Sequence, residues 1–155
     1  MNDARFDPPE VAPGTVVVAE TGAGKFAQYA LDGRHRLAAD EPVDVGGDDT
    51  GPGPYELLLM SLGACTSMTL RLYAERKKIP LERAIVRLKH AKRYYDDCKD
   101  CGDKPVMLDH IEREIELVGA LSEEQRASLL EIAEKCPVHR TLTSKIIINT
   151  LLTKK

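Results

Sequence analysis

A chain of 155 residues with a net charge of −3 is long enough for one domain with a genuine core, and too acidic for a general nucleic-acid or anionic-membrane binder. Hydrophobic residues at 43% and charged residues at 30% describe an ordinary globular composition without a dense lysine or arginine block. No uninterrupted apolar run reaches the roughly 18 residues that a membrane span needs. The opening, MNDARFDPPEVAPG, is acidic and proline-rich, unlike a secretory leader. The four cysteines therefore point to a reducing, cytoplasmic compartment and read as chemistry or packing before structural disulfides.

Residues 1–13 carry Pro8, Pro9 and Pro13 without periodicity and are expected to form a loose arm before a single domain over 14–155. Short strand-like runs follow at Thr15–Glu20, Lys25–Leu31 and Arg34–Ala39. Turn chemistry at Gly22-Ala23-Gly24 and Asp32-Gly33 suggests a three-stranded meander, with Asp32-Gly33 the stronger hairpin signal. Glu41–Gly53 is a loop leading into Gly51-Pro52-Gly53-Pro54, a rigid turn that can open a helix. From Tyr55 to Leu72 nearly every residue is apolar or small, so this central helix is expected to be buried on all sides. It should end near Lys77-Lys78, ahead of Pro80. Cys65 sits near its midpoint, among small neighbours that let a ligand or another backbone come close.

Ala84–Tyr94 alternates, with Ile85, Arg87 and Lys89 on one face and Val86, Leu88 and His90 on the other. Asp109–Gly119 alternates more cleanly: Ile111, Arg113, Ile115 and Leu117 face one way and Glu112, Glu114 and Glu116 the other. The two should form a long hairpin with Cys98 and Cys101 at its tip. Ser122 and Gln125 make a capping box for a helix through Lys135. Cys136-Pro137 breaks that helix, Val138–Leu142 starts a short one, and Lys145–Leu152 is expected to be a final buried strand. The order βββ-α-ββ-α-β is an α+β class, with antiparallel sheets around a long central helix.

Of the cysteines, Cys136 has the clearest chemical context, because a thiol opening a helix meets unpaired N–H groups that favour the thiolate. Cys65 lies mid-helix and would need a cation or hydrogen-bond donors; either thiol could equally be a small buried hydrophobe. His139 could share a proton with either thiol, or pack and cap the short helix. Cys98-Lys-Asp-Cys101 allows an exposed pair of incidental thiols, an auxiliary disulfide, or zinc. Alternation keeps His90 and His110 apart as further ligands, and the surrounding aspartates raise a thiol's pKa.

GPGPYELLLMSLGACTSMTL, followed about seventy residues later by LSEEQRASLLEIAEKCPVHRTL, resembles the OsmC/Ohr family of osmotically inducible and organic hydroperoxide resistance proteins. The likeness runs roughly from Val16 to Leu152 and is nearer the OsmC-like branch. It implies a thiol peroxidase without metal or organic cofactor, in which Cys65 is peroxidatic and Cys136 resolving. It also implies an intertwined homodimer acting on organic hydroperoxides and regenerated by a dithiol, a lipoylated protein or a thioredoxin-like partner. Two family positions differ. A glutamate directly follows the lead-in proline in the characterised peroxidases, where this chain has Tyr55, with Glu56 one position later. The family's early arginine has no counterpart near Gly24-Lys25, leaving Arg34, Arg36 and inward-facing Arg113 as substitutes. The rival expectation is a non-enzymatic small-molecule binding or redox-sensing protein on the same scaffold.

Overall fold

The computed structural model describes residues 10–95 and 106–153; Cys98, Cys101 and most of the expected arm lie outside them. Contacts gather the chain into two compact units, Met1–Leu58 and Leu59–Lys155.

In the first unit, β1 (Val17–Glu20), β2 (Gln28–Leu31) and β3 (Arg36–Ala39) form an antiparallel sheet in chain order. The Asp32-Gly33 hairpin forms as expected. Asp32 Oδ1 accepts the Arg34 and His35 N–H groups at 2.9 and 2.7 Å, and Gly33 takes the left-handed conformation that such a turn needs. The loop beyond β3 is wound around buried Asp40. Its carboxylate accepts N–H groups from Glu41, Asp48 and Thr50 at 2.8, 3.2 and 3.2 Å and the Thr50 hydroxyl at 2.8 Å. Burial pushes this carboxyl up, but these four donors outweigh it and hold its pKa below the ordinary value.

The long helix α1 (Pro54–Lys77) begins in the first unit and continues in the second. It ends in a Schellman motif. Lys78 is left-handed, and Lys78 and Ile79 donate to the Glu75 and Ala74 carbonyls at 3.2 and 2.8 Å. Arg71 then pins the connection to the next strand through the Leu81 and Glu82 carbonyls at 2.5 and 2.8 Å.

β4 (Arg83–Tyr95) and β5 (Val106–Val118) pair as the long antiparallel hairpin, with Leu88 opposite Arg113 and Val86 opposite Ile115. Arg87–Glu116 and Arg93–Glu112 ion pairs decorate the outer face, as the alternation requires. Helix α2 (Glu123–Ala133) carries both bonds of the Ser122–Gln125 capping box, and α3 (Pro137–Leu142) is a short helix capped by Cys136. Leu70, Ala74, Leu81, Leu129 and Ala133 form the core, with Ile115, Leu117 and Ile132 packed against it. A Cβ on Gly63 would come within 2.9 Å of the Leu88 methyl, so α1 lies close to β4 there and a larger residue would have to turn that side chain aside.

Three expectations need correction. Within one chain, α1 is buried along one stripe only, Leu62, Thr66, Leu70 and Ala74, while Met60, Met68 and Leu72 are exposed. By length and apolar composition it would suffice to cross a membrane, although Leu70 and Ala74 of that stripe are taken up by protein core. Lys145–Leu152 is neither strand nor buried: it joins no ladder, and Ile148 is 84% exposed. A strand needs a neighbour for its N–H and C=O groups, and none of the described residues pairs with this segment.

Candidate functional site

α1, β5 and the α2–α3 junction of the second unit bring Cys65 and Cys136 together. Cys65 follows a small-residue run and is half-buried; Cys136 has no exposed surface. The Cys65 thiol lies close enough to the Cys136 sulfur to help lower its pKa. Cys136 stops α2 because Pro137 cannot continue it, and its sulfur becomes the N-cap of α3, accepting the His139 N–H at 3.3 Å. With only six residues, α3 acts on the sulfur through that bond more than through a macrodipole.

Two further residues complete the surroundings. Thr66, fully buried on α1, places its Oγ1 3.7 Å from Cys136 Sγ and 2.7 Å from the Leu62 carbonyl. Arg113 on β5 donates to Thr66 Oγ1 at 3.1 Å and to the Ala133 carbonyl at 3.3 Å. It also pairs with Glu134 at 2.6 Å. Burial pushes the Cys136 thiol up. The His139 N–H, the Thr66 hydroxyl, the Cys65 thiol and the Arg113 charge together outweigh it, leaving the pKa below the ordinary thiol value.

It is the main chain of His139, not its ring, that meets the sulfur; the imidazole pairs with Glu134 at 3.2 Å. Glu56 and Arg36 belong to the first unit. The Glu56 carboxylate folds back over Gly53, and the Arg36 guanidinium stacks 4.5 Å above the Tyr29 ring. Of the three substitute arginines, Arg113 is the one placed beside the cysteine pair within its own unit. Thr66 and Glu134 were not singled out from sequence. The available signal was an inward-facing arginine on an otherwise apolar strand face, which demands polar partners. A cavity of about 450 Å³ opens beside Arg113, Glu134 and His139 and is lined also by Leu62, Ile111 and Leu142; neither cysteine lines it.

The family profile described as OsmC-like protein matches residues 46–150. Among solved structures, an OsmC-like protein from Mycoplasma pneumoniae shares 20% identity at a TM-score of 0.63, over 83% of this chain and 85% of that one. An organic hydroperoxide resistance protein from Elizabethkingia anophelis shares 20% identity at a TM-score of 0.60, over 85% and 90%. A Legionella pneumophila protein described as organic hydroperoxide resistance protein OsmC shares 22% at 0.55, over 85% and 91%. These structures share the fold. No curated protein matches the chain at a significant level.

Proposed function

Because the chain belongs to the OsmC-like family, we propose that it is a cysteine-based thiol peroxidase that reduces organic hydroperoxides, with Cys65 peroxidatic and Cys136 resolving. The observation that carries this reading is a half-buried thiol beside a fully buried one whose pKa it helps to lower. The partner that a substrate can reach is Cys65. Its sulfur attacks the terminal oxygen of the hydroperoxide, the O–O bond breaks, and the alcohol departs with one thiol proton. Cys65 is then a sulfenic acid. Cys136 attacks its sulfur, the S–O bond breaks, the hydroxide released is protonated to water, and a disulfide closes. The pair supplies both electrons, and a dithiol, lipoylated or thioredoxin-like reductant restores it.

The cavity beside Arg113 and His139 supports an organic substrate, since Leu62, Ile111 and Leu142 offer an alkyl group apolar contact that hydrogen peroxide could not use. The hydroperoxide resistance proteins among the similar structures point the same way. Arg113 replaces the missing early arginine as the local cation, and His139 supports through its N–H and through Glu134. The working form is a homodimer in the cytoplasm, where thiols are kept reduced. The exposed Met60, Met68 and Leu72 face of α1 supports a second copy.

Turnover of cumene hydroperoxide with dihydrolipoamide tests this. Cys65→Ser should abolish it, Cys136→Ser should lower it at least about tenfold, and Cys98→Ser with Cys101→Ser should leave it intact. Turnover that survives Cys65→Ser, or depends on Cys98 and Cys101, contradicts the assignment.

A further inference from the structure

Thr66 has one hydroxyl proton and several neighbours. Arg113 Nη1 donates to Oγ1 at 3.1 Å, so the oxygen is already an acceptor on that side. The proton can go to the Leu62 carbonyl at 2.7 Å or to Cys136 Sγ at 3.7 Å. A neutral thiol is a weak acceptor, and against it the carbonyl wins. An ionised sulfur is a charged acceptor, whose hydrogen bonds are roughly twice as strong as neutral ones. The hydroxyl therefore swings to Cys136 when Cys136 carries charge. Arg113 polarises the O–H in that sense, and with its side chain only 10% exposed its field is little screened by water.

The other groups around the sulfur act in the same direction, with one exception. From α3, His139 donates its N–H at 3.3 Å, and from α1 the Cys65 thiol favours the charged form. Glu134, at the end of α2, brings opposing negative charge, but its two oxygens are engaged by Arg113 and the His139 ring.

We propose that Thr66 and Arg113 are positioning residues that keep the resting negative charge of the cysteine pair on Cys136, the buried member, and not on Cys65, the accessible one. This deepens the peroxidase reading and rests on it for the following step. As Cys65 attacks the terminal peroxide oxygen, its proton passes to the Cys136 thiolate, the O–O bond breaks and an alkoxide leaves. Cys136 returns that proton to the alkoxide, which departs as the alcohol, and is a thiolate again. It then attacks the sulfenic sulfur of Cys65 and displaces hydroxide, which takes a proton from solvent to become water. One thiol thus acts first as base and then as nucleophile.

The test is ultraviolet thiolate absorbance against pH, on reduced full-length protein carrying Cys98→Ser and Cys101→Ser. The lower of the two titrations should survive Cys65→Ser and vanish in Cys136→Ser. Thr66→Val should raise it by about one pH unit, the scale of a lost hydrogen bond to a charged group, and Thr66→Ser should restore it. Arg113→Lys, which keeps the charge but loses the fork, should raise it by less and stands in if Thr66→Val does not fold. A lower titration that follows Cys65, or one indifferent to both Thr66→Val and Arg113→Lys, overturns the proposal. No peroxide enters this measurement. A protein that shows the Cys136 titration but no turnover would refute the peroxidase reading, and the relay with it, and keep the placement of charge on Cys136.

Discussion

Arg113 is nearly buried, yet its guanidinium is satisfied by Thr66, the Ala133 carbonyl and Glu134, so the charge is held where Cys136 can feel it. The linkage to stability follows from the lowered thiol pKa. The folded protein binds fewer protons than the unfolded chain between the lowered value and the ordinary value of 9.0. The contribution is therefore complete above the ordinary value and lost as pH falls through the lowered one. Denaturant unfolding of the reduced protein should show stability rising with pH across that window, and Cys136→Ser should flatten the rise; an unchanged slope would contradict a stabilised thiolate. The cysteine pair was legible from its motifs, and Arg113 from strand alternation. Thr66 was not, because a mid-helix threonine ordinarily bonds the carbonyl four residues back, which Thr66 also does through Leu62. Only the fold shows that the same oxygen faces Arg113 and a sulfur.

Local chemistry decides the elements where it is strong. Ser122 and Gln125 form a reciprocal box, with the Gln125 N–H on Ser122 Oγ at 3.2 Å and the Ser122 N–H on Gln125 Oε1 at 3.0 Å. Ser122→Ala should cost about 1 kcal/mol in denaturant unfolding, since it leaves an N-terminal N–H without its cap; no loss would mean that the box carries no stability. The same box sets where α2 begins, and hence where Ala133 and Cys136 meet Arg113 and Thr66. The expected second strand shortened to Gln28–Leu31. The tail Lys145–Leu152 has strand-like residues but no partner strand among the described residues, and pairing is a property of two segments that a one-dimensional reading cannot supply.

At the scale of the whole molecule, the apolar surface exceeds what one chain covers. Met60, Ala64, Met68 and Leu72 recur at one-turn spacing along the exposed side of α1, and Met68 is 69% exposed. The sequence showed a helix apolar on every face and could not say how many chains share the work of burying it. A contiguous apolar face of this kind marks an interaction surface. Met68→Asp should convert a dimer to a monomer in sedimentation analysis, because a desolvated carboxylate without a partner costs several kcal/mol. A wild-type protein that sediments as a monomer at micromolar concentration would contradict the homodimer.

The most direct test is the intact mass of fully reduced protein before and after one equivalent of cumene hydroperoxide, followed by peptide mapping. Rapid loss of two hydrogens, with the bond mapped to Cys65 and Cys136, is the predicted result. No reaction, or a bridge confined to Cys98 and Cys101, would contradict the account and leave a thiol-bearing binding protein on this fold.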